Sequence, residues 1–425
     1  MSRRACSLAV LLATAGCRRS AGSADNVCSF EFQPDTVSTN GRTIGTMIAD
    51  DAGIYQIHTV IRWAMTMGDT ATAPVGITLQ GGWFHEGTPV TSDQPHLDTT
   101  QPIVDVHLDF PGAGLSGGTN DRRGPIAASA LAAVMRWVHG DTVDSGGCHL
   151  QDRVPAANPD DIYLVGTSNG GNIAYSVLTD DSLDVPPVNG LVTWETPAAA
   201  TFVNVELGND PSVYTPGTCT WDPSNGIFCP FPADQLISVA GGHTSTLCFD
   251  LDGDGACSAT ADVVIQGSES KETGELMLSP ALRQAADDQG LALTGYASVA
   301  DADTWWMYRD AGRRVSMLTA RWPDLPVMLI GSETDHVIST WTDHPHVHGL
   351  GQALQASGAF WTRLNPGVKW FPANSTENAP NLPLSLAGDE GQMLTEDAED
   401  PLEGVLTAAV FELSERHTTG DWTDN

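Results

Sequence analysis

The sequence predicts an α/β protein: a mostly parallel central sheet flanked by helices, with a cap inserted into it. Three observations point there. From about residue 54, strand-like and helix-like segments alternate, and helices of this length between strands imply parallel pairing through crossover connections. The stretch "IYLVGTSNGGNIAYSV" (162–177) passes from a β-prone run into a helical pattern with only Gly-Thr-Ser-Asn-Gly between them. The alternation breaks over 199–320, which holds four cysteines and many Gly, Pro, Thr and Asp residues.

The first element, "MSRRACSLAVLLATAGC" (1–17), has two arginines, a short apolar run and small residues ending at Cys17. It reads as an export signal too short to span a bilayer. Its "ATAGC" end resembles the lipobox of bacterial lipoproteins, which implies a lipid anchor at Cys17 in the cell envelope. Cleavage at an Ala-x-Ala site, giving a secreted protein, stays open. Residues 18–30 form a small, polar tether.

The first part of the core is assigned to 31–198. There "VGITLQGG" (75–82) and "IVDVHLDF" (103–110) read as strands and "IAASALAAVMRWV" (126–138) as a helix. The strand "DIYLVG" (161–166), the helix "NGGNIAYSVLTD" (169–180) and the strand "GLVTWE" (190–195) follow. Beyond the cap at 199–320, residues 321–425 supply the second part of the core. Its segments are the strand "PVMLIGSE" (326–333), the helix "HGLGQALQASG" (348–358), the strand "VKWFPA" (368–373) and a C-terminal helix (402–416).

The formal charge is -34, with Lys271 and Lys369 the only lysines. Such a surface repels phosphate backbones and anionic lipid heads, which argues against a nucleic-acid partner. With Cys6 and Cys17 set aside in the signal, six cysteines remain. An even number in an exported chain suits disulfides. Cys219 with Cys229 and Cys248 with Cys257 would close short loops, leaving Cys28 for Cys148.

Gly-x-Ser-x-Gly alone says little in a chain with 43 glycines, and "GLSGG" (114–118) matches it as well as "GTSNG" does. Context separates the two. A serine held up for attack needs a strand leading directly in, a helix leading directly out, and glycines where side chains would collide. Ser168 has all of these. Ser116 does not: Pro111 intervenes after its strand, and "GGTNDRRGP" cannot begin a helix.

With "LQGGWF", "LDFPGAGLSGG", "VGTSNGG" and "VMLIGSETDHV" in this order and spacing, residues 55–198 and 320–375 resemble the α/β-hydrolase fold of esterases and lipases. The resemblance implies that Ser168 is the nucleophile. It also implies an oxyanion hole made by the N–H of Asn169 and that of Gly82 or Trp83, with Gln80 standing where many relatives have histidine. The acid falls on Asp335 in "GSETDHV", with Glu333 and Glu195 as alternatives. The base falls on His346; Asp335 and His346 on one loop resemble the arrangement in cutinase-like hydrolases. His344, His348 and His417 stay open, whereas His336 adjoins Asp335 and cannot easily face it. The implied chemistry is hydrolysis of a small or lipid-like ester through an acyl-enzyme, with no organic cofactor. Two alternatives remain. One is a peptidase of the same fold, with Arg122, Arg123 or Arg309 binding a carboxylate. The other is a non-catalytic binding protein.

The loop "DLDGDGACSATAD" starts at Asp250. Asp250, Asp252 and Asp254 have the alternating spacing of calcium loops, and Gly255 permits the turn. The Ala256 carbonyl and Asp262 complete a candidate structural calcium site.

Overall fold

The computed structural model describes residues 36–37, 42–49, 53, 55–64, 67, 72–81, 97–198, 213, 218–265, 267–331, 345–366, 382–383, 392–393 and 401–423. The central sheet opens with β1 (Thr36–Val37), β2 (Arg42–Ala49) and β3 (Gln56–Trp63), which pair antiparallel. Next come β4 (Ala73–Leu79), β5 (Val104–Leu108), the helices α1 (Pro125–His139) and α2 (Leu150–Arg153), and β6 (Ala157–Thr167). The helix α3 (Asn169–Thr179) and the strand β7 (Gly190–Trp194) follow.

The region expected as a cap folds into short antiparallel pairs. β8 (Thr220–Asp222) pairs with β9 (Gly226–Phe228). β10 (Leu236–Val239), β11 (Thr246–Phe249) and β12 (Val263–Val264) make a three-stranded sheet. β13 (Ser268–Glu269) pairs with β14 (Leu276–Met277). The helices α4 (Pro280–Asp288), α5 (Val299–Arg309) and α6 (Ala311–Arg321) follow. Disulfides join Cys219 to Cys229 and Cys248 to Cys257, the two local pairs expected from the sequence. Cys148 is also disulfide-bonded, to a partner outside the described residues. The last helix, α6, packs on α3 and so belongs to the layer against the sheet.

The core resumes with β15 (Pro326–Ile330), α7 (Pro345–Ala356), β16 (Trp361–Leu364) and α8 (Pro401–Thr419). The sheet order is β1-β2-β3-β5-β4-β6-β7-β15-β16. All pairings from β5 to β16 are parallel, so this half of the sheet is parallel throughout. Two elements differ from the sequence expectation. The strands β1 and β2 extend the sheet upstream of residue 54, and the parallel strand after α7 is β16 at 361–364. The strand expected at 368–373 lies outside the described residues.

Buried side chains alternate across the parallel strands with the period of two that a pleated strand imposes. Leu164, Leu191 and Leu329 face the layer built by α1, α3, α6 and α7. Val165, Val192 and Met328 face α8, against Leu406, Val410 and Leu413. Both faces are covered, which explains why these strands read as nearly continuous apolar runs. The α1 layer begins at Pro125, where Asp121 accepts hydrogen bonds from the N–H groups of Gly124, Ile126 and Ala127. These are the donors a helix start leaves without internal partners. No helix among the described residues is long and apolar enough to cross a membrane.

Candidate functional site

Ser168 stands between β6 and α3 with no residue to spare on either side. Its backbone is at φ 51 and ψ -125, a conformation L-residues avoid. Two things hold it there. Its N–H donates to the Trp194 carbonyl at 2.8 Å, and its carbonyl accepts from the Gly171 N–H at 3.0 Å. Close packing does the rest. A Cβ at Gly170 would lie 2.1 Å from the Leu79 carbonyl oxygen, and one at Gly171 would lie 1.8 Å from the Thr196 hydroxyl. The turn therefore admits glycine alone at these positions. Ser168 keeps 8% exposure where Thr167 and Asn169 keep 1% and 3%, so the apex is the most open point of the turn.

The chain after β4 lies against this apex. A Cβ on Gly81 would come within 2.9 Å of the Ser168 Cβ. The Gly81 N–H donates to the Thr167 hydroxyl at 3.2 Å, and that hydroxyl donates to the Leu79 carbonyl at 3.1 Å. Gln80 is buried beside it. Gly82 and Trp83, the expected oxyanion donors of this loop, lie outside the described residues. Asn169 opens α3, so its N–H is one that the helix leaves without an internal acceptor. Its side-chain oxygen accepts from Asn172 Nδ2 at 2.9 Å.

Asn172 was not legible as a site residue, because its role depends on a contact 139 residues away. Fully buried, it donates to Asn169 and accepts from the Ala311 N–H at 2.8 Å, tying the start of α3 to the α5–α6 corner. Asp310 caps α6 at that corner by accepting from the Gly312 N–H. Burial pushes the Asp310 carboxyl up to about 7, and the Gly312 N–H, Arg313 and Arg314 pull the other way without cancelling it. A carboxyl whose pKa is higher folded than unfolded binds its proton more tightly in the folded state. Its contribution is present below the unfolded value of about 4 and is lost as pH rises through about 7. Thermal melts should therefore show wild-type stability falling, relative to Asp310→Asn, between about pH 4 and 7; parallel pH profiles would contradict this.

At the same edge of the sheet, Thr167 is in register with Trp194, and Trp194 with Ile330. Ser168, Glu195 and Gly331 therefore leave adjacent strands side by side. Glu195 is buried, at φ 43, with its N–H on the Ile330 carbonyl at 2.9 Å. Asp335 and Glu333 lie outside the described residues. The segment that carries them begins at Gly331, whose N–H and carbonyl both bond the Asn365 carboxamide at 3.1 Å. Asn365 is fully buried at φ 58. The Asn-Pro pair ending "TRLNP" was the available signal for this sharp turn.

Of the candidate histidines, His346 lies in the first turn of α7 and is fully buried; His348 is half-buried. Because α7 connects the parallel strands β15 and β16, its start lies at the strand ends that carry Ser168. His336 and His344 lie outside the described residues. His417 is exposed near the end of α8 and bonds Asn189 at 3.0 Å, at the entry to β7. It sits at the opposite edge of the sheet from Ser168. A further buried pair, His58 Nδ1 with Asp109 Oδ2 at 2.8 Å, escaped the sequence reading. It sits on β3, three strands from β6, so about 14 Å separates it from Ser168. Ser116 accepts from the His58 N–H and donates to the Asp109 carbonyl, a structural tie.

In the loop after β11, carboxylate oxygens of Asp250, Asp252, Asp254 and Asp262 all lie within 4.8 Å of one another. Asp250 folds the loop by accepting from the Gly253 and Gly255 N–H groups, and Asp254 accepts from Ala256. The Asp254 N–H lowers the Asp252 pKa, but burial and the three neighbouring carboxylates together raise it above the ordinary value.

No family model matches the chain, and no curated protein matches it in sequence. Solved structures do. A carboxyl esterase from the fungus Tuber melanosporum is 10% identical, covering 89% of this chain and 88% of its own, with a TM-score of 0.40. A thermostable esterase from Pseudomonas putida is 11% identical, covering 92% and 86%, with a TM-score of 0.38. A brefeldin A esterase, a bacterial homologue of human hormone sensitive lipase, is 13% identical, covering 93% and 80%, with a TM-score of 0.37. Likenesses this distant do not bear on chemistry, which rests on the site itself.

Proposed function

We propose that this protein is a serine hydrolase of the α/β-hydrolase type that cleaves carboxylic esters. The observation that carries the reading is Ser168 at φ 51, on a strand-to-helix turn that packing holds open. A hydroxyl is a weak nucleophile at neutral pH, so a base must take its proton. In this reading His346 is that base and Asp335 orients it, with Glu195 as the alternative acid. Ser168 Oγ attacks the ester carbonyl while the imidazole takes its proton. Backbone N–H groups of Asn169 and of Gly82 or Trp83 stabilise the oxyanion. Collapse expels the alcohol, which takes the proton from the imidazolium. Water, activated by the same histidine, then attacks the acyl-enzyme and frees Ser168. Hydrolysis in this scheme calls on no organic cofactor.

The substrate class is a small-molecule or lipid-like ester. Two of the arginines weighed for carboxylate recognition have other partners. Arg309 donates to the carbonyls of Asp121, Arg122 and Trp305, and Arg122 pairs with Glu269 at 3.1 Å. Hydrolysis of p-nitrophenyl esters beside aminoacyl nitroanilides tests the class. A burst of nitrophenol matching the enzyme concentration, with no anilide cleavage, is expected; anilide cleavage without ester turnover would replace the esterase by a peptidase.

Export is part of the proposal. The two local disulfides support an oxidising compartment, with Cys17 as lipid anchor or with release as a secreted protein. A calcium ion is proposed for the loop after β11, held by Asp250, Asp252, Asp254, Asp262 and the Ala256 carbonyl. The crowded carboxylates and the raised Asp252 pKa support it, since a divalent cation relieves their repulsion. Calcium should raise the melting temperature above that in chelator, and Asp252→Asn should remove the difference; identical melts would exclude the ion.

A further inference from the structure

Arg123 is a buried cation that forms no ion pair among the described residues. It is 6% exposed, its guanidinium lies 3.9 Å from the centre of the Phe110 ring, and its Nη1 has no hydrogen-bond partner among the described residues. No carboxylate among the described residues lies within ion-pairing distance of it. Asp121, the nearby acid, faces the N–H groups that start α1. Burial pushes the guanidinium down to about 10, with Asp121 opposing. Such a placement is costly, and the chain is built to enforce it. Arg122 and Arg123 both take left-handed backbone, at φ 53 and 64. Arg309 clamps that turn, donating through Nη2 to the Asp121 carbonyl at 2.9 Å and through Nε to the Arg122 carbonyl at 3.0 Å. A Cβ on Gly124 would lie 2.2 Å from Arg309 Nη2, so this corner is packed to hold one arrangement.

That arrangement delivers Arg123 Nη2 to the Gly81 carbonyl at 2.9 Å. Gly81 is thereby fixed from both sides, its N–H on Thr167 and its carbonyl on Arg123, while it touches Ser168. A charge-assisted hydrogen bond is stronger than a neutral one, so Gly81 cannot leave the apex without breaking its tie to Arg123. We propose that Arg123 is a positioning residue of the nucleophile turn: by holding the Gly81 carbonyl, it keeps the chain after β4 seated against Ser168. This rests on the hydrolase reading above.

The test compares Arg123→Gln and Arg123→Lys with wild type on p-nitrophenyl acetate, with kcat taken per folded protein and KM measured separately. Misplacing a nucleophile raises the barrier more than it weakens ground-state binding. In Arg123→Gln, kcat should fall by about 10- to 100-fold and KM should move less than about threefold. Lysine, a donor without the planar fork, should fall between glutamine and wild type. Folded variants that melt earlier but keep wild-type kcat would make Arg123 purely structural and overturn the inference. If the glutamine variant does not fold, lysine decides: a lowered kcat at near-constant KM supports the inference, and wild-type kcat overturns it. A wild type with no ester turnover overturns the hydrolase reading and this inference together; an active wild type with unimpaired variants overturns this inference alone.

Discussion

Ser168→Ala is expected to lower kcat for a p-nitrophenyl ester by about 10^4- to 10^6-fold, the loss that follows removal of a nucleophile from a triad. The fold should not notice. Alanine has the same backbone preferences as serine, so the strain at φ 51 is unchanged. The ties that fix the turn are backbone ones, the Ser168 N–H to Trp194 and its carbonyl from Gly171. The melting temperature should therefore stay within about 2 °C of wild type. A residual rate a few-fold below wild type, measured by steady-state kinetics, would move the nucleophile elsewhere.

The second large effect belongs to Gly166→Ala. A Cβ there would lie 2.5 Å from the Cα and N of Gly171 and 2.7 Å from the carbonyl carbon of Gly170. All three atoms are backbone, so no side chain can swing aside. The strand β6 and the start of α3 would have to separate, at a cost of about 3 kcal/mol or more. The damage reaches function, because α3 carries Asn169 and the turn carries Ser168. A shift of about 1 Å in such a constellation costs roughly 10^2-fold in rate. Chemical denaturation and kinetics should show both losses together. Gly242→Ala, where a Cβ would meet nothing within 4 Å, serves as the control and should change stability by less than about 0.5 kcal/mol. A stable, active Gly166→Ala would mean that the turn is looser than its packing implies.

The parts of this site that could be read in sequence are those that local chemistry fixes. The run into Ser168 and out through α3 is short-range, and each residue in it has a steric reason. The strand β15 was legible for the same reason: an unbroken apolar run buried on both faces. The strand β16 was not, because it has only four residues and Thr362 and Arg363 occupy half of them. The strands β2 and β3 were missed because no helix lies between them for an alternating pattern to show; they pair directly as a hairpin.

The histidine shows where sequence reading stops. Four histidines crowd into 336–348, and their spacing from Asp335 favours His346 while leaving His344 and His348 open. A signal was present in Pro345, which starts α7 and places His346 in its first turn. Asn172 was invisible as a site residue, Arg123 was weighed only as a carboxylate binder, and Asn365 was not seen, for a different reason. Each acts by bonding backbone far from it in sequence or on another strand, at Ala311, Gly81 and Gly331 respectively. No local pattern encodes such contacts; they exist once the sheet has set its strand order.

Intact-mass and peptide analysis after treatment with a fluorophosphonate tests the central claim most directly. One adduct per chain is expected, on the peptide containing Ser168, and none on Ser168→Ala. An unlabelled Ser168 in protein that still hydrolyses esters, or an adduct on another serine, would contradict it.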